Sequence, residues 1–141
     1  IYLCGVEIPF NKSLAGHSDA DVALHALTDA ILGALALGDI GLHFPDTDKK
    51  WKKADSVIFL NWSITQAKQR KLKLSNIDLT IICEKPKISS YREQLIVNLS
   101  KICSLEHDRI NVKATTTERL GFTGREEGIA SICSILLHET G

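Results

Sequence analysis

The sequence predicts a mixed α/β fold of α+β character, with a single layer of helices packed on a mostly mixed β-sheet. Strand-patterned segments alternate with segments of helical periodicity along the chain, and no repeat, low-complexity stretch or internal linker interrupts them. At 141 residues, the chain fits one domain, residues 1–141, and is long enough to bury a core.

Each element has its own signal. Residues 1–8 are apolar and β-prone and read as a strand closed by Pro9. From Asp19 to about Leu37, the residues Leu24, Leu27, Ile31 and Leu35 recur at helical spacing. Ser18 stands as the N-cap of this helix, Asp19 and Asp21 suit its dipole, and Gly38 ends it. GDIGLHFPDTD, residues 38–48, reads as a loop by its glycines, proline and aspartates. A second helix spans about 54–70 with the stripe Val57, Leu60, Ile64 and Ala67. In residues 77–83, Ile77, Leu79, Ile81 and Cys83 alternate with Asp78 and Thr80, the mark of a half-buried strand that EKPK then breaks. Ser90 and Glu93 form a capping box for a third helix carrying Leu95, Leu99 and Ile102. A strand at 109–115, a polar loop to Gly128 and an apolar strand at 129–137 complete the chain.

Bulk properties narrow the partners. Lysine plus arginine and aspartate plus glutamate number 17 each, so the chain lacks the basic surplus of a nucleic-acid binder. No uncharged run approaches the ~20 apolar residues of a membrane span. A small molecule is the expected partner. Cys4, Cys83, Cys103 and Cys133 are widely spaced without a CxxC pair, as reduced core thiols are, which favours a cytoplasmic-type compartment. No signal peptide is visible. The chain opens in the strand-like IYLCGVEIPF without an initiator methionine, so a segment upstream is expected.

Several groups could carry chemistry. Asp21, His25 and Thr28 share one helix face, where a carboxylate orients an imidazole as a metal ligand or base, or simply satisfies a histidine at the helix border. His17 and Ser18 precede the helix, at an end that favours anions, although a plain cap and a solvated loop residue would look the same. Asp39, Asp46 and Asp48 could hold hydroxyls or a cation, or merely form turns. NVKATTTERLGFTGREEG, residues 111–128, combines hydroxyl and backbone donors with Glu118 and Arg125, a plausible cradle for phosphates and a hard cation, or a β-prone hairpin loop. EKPK could bring two ammonium groups to an anion or be a solvated turn. Their concurrence in a neutral chain points to metal-assisted phosphate chemistry.

Read in order, HSDADVALHALTDAILGALALGDIG, FPDTD, ADS, NIDLTII, PK and VKATTTERLGFTGREEGIA resemble the 2-C-methyl-D-erythritol 2,4-cyclodiphosphate synthase family of the non-mevalonate isoprenoid pathway, from about Gly5 to Leu137. The resemblance implies a homotrimer with active sites between subunits. It implies that 4-diphosphocytidyl-2-C-methyl-D-erythritol 2-phosphate is cyclised with release of CMP, a phosphorus–oxygen lyase reaction by intramolecular phosphoryl transfer. It implies Zn2+ or another divalent metal at His25, and Mg2+ or Mn2+ at Glu118 with the substrate diphosphate. His17 and Thr116 match positions that stabilise the transition state, and Ser18 a substrate contact. Asp39, Ile40 and Gly41, with Phe44, Pro45, Asp46, Thr47 and Asp48, match the methylerythritol segments. Cys83, Glu84, Lys85, Pro86, Lys87, Ile88 and Ser89, with Thr115, Thr116, Thr117 and Glu118, match the cytidine and diphosphate segments. Phe122 and Arg125 match substrate-associated positions near the trimer channel. The family's other zinc ligands belong to a D-x-H motif, expected upstream of Ile1. Bacterial-type members imply the cytoplasm, plant or algal ones the plastid stroma. The alternatives are a non-catalytic trimeric module binding a nucleotide or isoprenyl diphosphate, and a structural trimer whose polar loops serve only subunit contacts.

Overall fold

Residues 1–8 form a hairpin, not the single strand expected. Cys4 (φ 55°) and Gly5 (φ 77°) take consecutive left-handed conformations, as in a tight hairpin turn, and join β1 (Tyr2–Leu3) to the antiparallel β2 (Val6–Glu7). A Cβ on Gly5 would lie 2.7 Å from Asn98 Nδ2, which donates to the Cys4 carbonyl at 2.6 Å. The computed structural model describes residues 1–11, 20–51 and 55–141.

Helix α1 (Val22–Ala34) starts later than its periodicity suggests, because its cap is Asp21 and not Ser18. The Asp21 carboxylate is buried and accepts from Leu24 N at 2.9 Å, Cys4 N at 3.0 Å and Gly5 N at 2.7 Å. One side chain thus caps α1 and fastens the hairpin to it. The helix ends at Ala34, and Ala36 (φ 56°) turns the chain away before Gly38. Leu37 N reaches Leu32 O and Ala36 N reaches Gly33 O, the Schellman pattern with alanine in the usual glycine place.

The expected loop at 38–48 contains a single helical turn, α2 (Ile40–His43), capped by Asp39 through Leu42 N at 3.0 Å. Helix α3 (Ser56–Gln69) falls within the expected range and buries Phe59, Leu60, Ser63 and Ala67. Strand β3 (Leu72–Ile82) begins earlier than its alternation shows, since an irregularity between Leu74 and Asn76 breaks the period. Helix α4 (Arg92–Cys103) lacks the capping box: Ser90 lies in a 3-10 turn, Ile88–Ser90, and Tyr91 precedes the helix without a side-chain cap. Strand β4 (Ile110–Thr115), the turn α5 (Gly121–Gly124) and β5 (Ala130–Glu139) follow.

The sheet has the order β4-β3-β5, with β4 parallel and β5 antiparallel to β3, so it is mixed as predicted. Leu24, Leu27 and Ile31 of α1, Leu60 of α3, and Leu95 and Leu99 of α4 share one core with Ile77, Leu79 and Ile81 of β3 and Val112 of β4. Each such burial contributes about 1.5–3 kcal/mol. The inward residues of β5, Cys133, Ile135 and Leu137, pack against that core, whereas Ile132 and Leu136, of opposite parity, stay 62% and 63% exposed. That open face also carries the Asp78–Lys113 ion pair at 2.9 Å. The Asp78 carboxyl is held below its usual range by hydrogen bonds from Lys113 and Asn111. Among the described residues, no helix is long and apolar enough to cross a membrane.

Candidate active site

Parallel β3 and β4 end side by side, with Cys83 N donating to Thr115 O at 3.1 Å. The carboxyl ends of parallel strands are where α/β sheets receive ligands. The segments at 83–89 and 115–118 meet there. Thr116 Oγ1 accepts from Glu118 N at 3.2 Å and Leu120 N donates to Thr117 O at 3.1 Å, closing a turn. Its central residues, Glu118 (φ 53°) and Arg119 (φ 67°), are both left-handed. Thr117 Oγ1 donates to Leu120 O at 2.6 Å and lies 3.0 Å from Thr123 Oγ1, bracing the turn from inside. Glu84 Oε1 accepts from Arg119 N at 2.7 Å and ties it to the neighbouring loop.

Thr115, Thr116 and Glu118 are exposed, as are Lys85, Lys87 and Ser89. Three hydroxyls, a carboxylate and two ammonium groups therefore face solvent around one sheet end, a donor set suited to a diphosphate with a hard cation. Pro86 is half-buried and Ile88 buried, anchoring the loop. The buried Cys83 thiol is pushed up, first by desolvation and then by the Glu84 charge, as suits a packed thiol.

A second group lies on α1 and α2. His25 is exposed, and its Nε2 pairs with Asp29 Oδ2 at 3.2 Å. The expected partner, Asp21, has its carboxylate turned to the hairpin and the helix start. Thr28 is buried and donates to Leu24 O at 2.8 Å, so it points into the core rather than towards the site. Asp29 Oδ1 accepts from Ile40 N at 2.9 Å, linking the imidazole to residues 39–41. Phe44 anchors the following segment by packing on Phe59, Trp51 and Trp62, with ring centroids 4.7, 4.8 and 5.2 Å apart. Ile40 is buried, whereas Asp39, Gly41, Pro45, Asp46, Thr47 and Asp48 are exposed beside that anchor. His17 and Ser18 lie outside the described residues.

Among the described residues, no group of three or more His, Cys, Asp or Glu is placed to hold a metal. His25 offers one imidazole whose Nε2 is engaged by a carboxylate, leaving Nδ1 available, the usual support of a ligating histidine. Asp29 is the residue that sequence reasoning missed. The four-residue rule applied to Asp21 points equally to it in the other direction. Beyond the threonine turn, the Phe122 ring lies against Gly128, where a Cβ would come within 3.1 Å. Arg125 Nε pairs with Glu127 at 2.7 Å.

The YgbB family matches residues 1–138. The bifunctional enzyme IspD/IspF of Paracoccus denitrificans is 58% identical over 137 residues, which are 97% of this chain but 36% of that relative's length. The 2-C-methyl-D-erythritol 2,4-cyclodiphosphate synthase of Cereibacter sphaeroides is 54% identical over 137 residues, covering 97% of this chain and 86% of the relative. Among solved structures, the bifunctional IspDF from Campylobacter jejuni superposes with a TM-score of 0.94 at 44% identity, covering 99% of this chain and 38% of that one. The Plasmodium falciparum IspF complex with CDP gives 0.88 at 34% identity, over 99% and 83% of the respective chains. By the family match over nearly its whole length and by these relatives, the chain belongs to the YgbB family.

Proposed function

We propose that this chain, acting as one domain, converts 4-diphosphocytidyl-2-C-methyl-D-erythritol 2-phosphate to 2-C-methyl-D-erythritol 2,4-cyclodiphosphate and CMP. The observation that carries the reading is the pairing of the 83–89 and 115–118 segments at the carboxyl ends of β3 and β4. A CDP complex of a similar protein supports a cytidine nucleotide there. In the reaction, an oxygen of the 2-phosphate attacks the β-phosphorus while the bond from that phosphorus to the oxygen bridging to CMP breaks, and CMP leaves with the electron pair. Because both phosphates belong to one molecule, the protein's task is to fold the substrate and meet its charge.

The loop at 83–89 receives the cytidine, with Lys87 near the phosphates. Thr115, Thr116 and Thr117 flank the diphosphate; the exposed Thr116 hydroxyl is free to donate to a phosphoryl oxygen as its charge develops, and His17 serves the same end. Residues 39–41 and 44–48, with Ser18, hold the methylerythritol portion. His25 is a ligand of Zn2+ or another divalent ion, and Glu118 of Mg2+ or Mn2+. When bound, such ions neutralise charge on the phosphate oxygens.

His25 and Glu118 belong to separately braced elements, which supports a site completed between subunits of a homotrimer. The exposed Ile132 and Leu136 on the open sheet face support burial of that face in the assembly, with Phe122 and Arg125 near its axis. The four free thiols favour a reducing compartment, the cytoplasm. Phosphorus NMR of the substrate with the full-length protein, zinc and magnesium tests the reading. Cyclic diphosphate and CMP are the expected products; binding of CDP without CMP release would make the chain a binding module instead.

A further inference from the structure

We propose that Glu84 is a positioning residue, whose Oε1 clamps the Arg119 amide and thereby aims Glu118 at its cation. This deepens the reading of residues 115–118 as the diphosphate and cation segment and rests on it. The turn that carries Glu118 is costly to hold. Two consecutive non-glycine residues sit at positive φ, a conformation that persists only where the surroundings hold it. Most of its braces come from the same loop: Thr116 to Glu118 N, and Thr117 to Leu120 and Thr123. Gly124 admits the turn's backbone, since a Cβ there would lie 2.2 Å from the Arg119 carbonyl carbon. These contacts shape the turn but do not fix it to the sheet. Glu84 does so, from the loop after β3, at 2.7 Å.

The second oxygen reveals what kind of contact this is. Oε2 is buried and makes no hydrogen bond among the described residues, so no salt bridge completes the carboxylate. The clamp is one hydrogen bond at Oε1, and a neutral amide oxygen of the same reach can replace it. A carboxylate one methylene shorter cannot reach. Geometry, not charge, is the property the turn requires of residue 84.

The test uses the full-length protein, calorimetric titration with CDP in the presence of Mn2+, and hydrogen exchange of the peptide carrying the Arg119 amide. Glu84→Ala and Glu84→Asp are each expected to speed that exchange and weaken CDP–Mn2+ binding about tenfold, the scale of one lost hydrogen bond. Glu84→Gln is expected to stay within about twofold of the parent in both. Unchanged affinity in Glu84→Ala, or Glu84→Gln as weak as Glu84→Ala, overturns the proposal. If the parent protein itself fails to bind CDP with Mn2+, the reading of residues 115–118 falls and the role of Glu84 with it, while the exchange data still report whether the clamp exists.

Discussion

Replacing Asp21 by alanine removes three backbone acceptor contacts at once. The cap on Leu24 N accounts for about 1 kcal/mol. The Cys4 amide, buried in the hairpin turn, is left without a partner, at about 1–3 kcal/mol. The Gly5 amide is only partly buried, so water recovers some of its loss. Together the change should destabilise the fold by about 3 kcal/mol, loosening the hairpin from α1 more than it unravels the helix. Asp21→Asn keeps one oxygen but turns an N–H donor towards another donor, and should cost about half as much. Urea unfolding at one fixed protein concentration, followed by circular dichroism, measures both. A loss below about 1 kcal/mol for Asp21→Ala would refute the assignment of Asp21 as the joint between hairpin and helix.

Four further outcomes follow from the same structure. Asp29→Ala should lower zinc affinity by about 10–100-fold in the full-length protein, whereas Asp21→Asn should leave it unchanged; calorimetry separates the two carboxylates. Thr116→Ala should reduce turnover about 100-fold while CDP affinity changes little, since the hydroxyl acts on charge that develops during transfer; equal losses in both would make it a ground-state contact. Ile132→Glu on the open sheet face should dissociate the proposed trimer, and an unchanged sedimentation coefficient would refute burial of that face between subunits. Burial pushes the Cys103 and Cys133 thiols up to about 12, with the Asp78 charge adding to Cys133. A raised folded-state value gives stability that is complete below the unfolded thiol's pKa and lost as pH rises through the folded one. The unfolding midpoint should therefore hold from neutral pH to about 8 and fall above about 9, and a Cys103→Ala, Cys133→Ala double variant should fall less steeply, keeping the share that the raised Cys4 and Cys83 thiols contribute.

The features legible in the sequence are those with a period. The apolar stripes of α1 and α3, the alternation of Ile77, Leu79 and Ile81, and the final apolar strand all report burial on one face, and burial is what places helices over one side of a mixed sheet. The positions that eluded it are left-handed residues other than glycine: Cys4, Ala36, Glu118 and Arg119. Nothing in their side chains announces a turn: Asp21 and Asn98, distant in sequence, hold the hairpin, backbone bonds to Leu32 and Gly33 close the bend at Ala36, and the threonine turn is braced within its loop and joined to Glu84. Ser90 shows the converse, a cap motif that a 3-10 turn overrides.

The same distinction separates the two halves of the candidate site. Residues 115–118 stood out because hydroxyls, a carboxylate and glycines crowd a loop after a strand, yet composition could not say that the loop is held against the one at 83–89. On α1, the spacing suggested a carboxylate for His25 and chose the wrong side, because the capping demand of the helix and the unsatisfied amides of the hairpin claim Asp21 first. Asp29, one turn further on, has no such obligation. Its two oxygens are left to join the imidazole to the segment that begins at Ile40. Where backbone donors and a functional group compete for one carboxylate, the backbone wins when the donors are buried, since an orphaned buried N–H costs more than an exposed imidazole contact returns. Support for a ligand on such a helix is therefore to be sought one turn beyond the ligand, away from the cap.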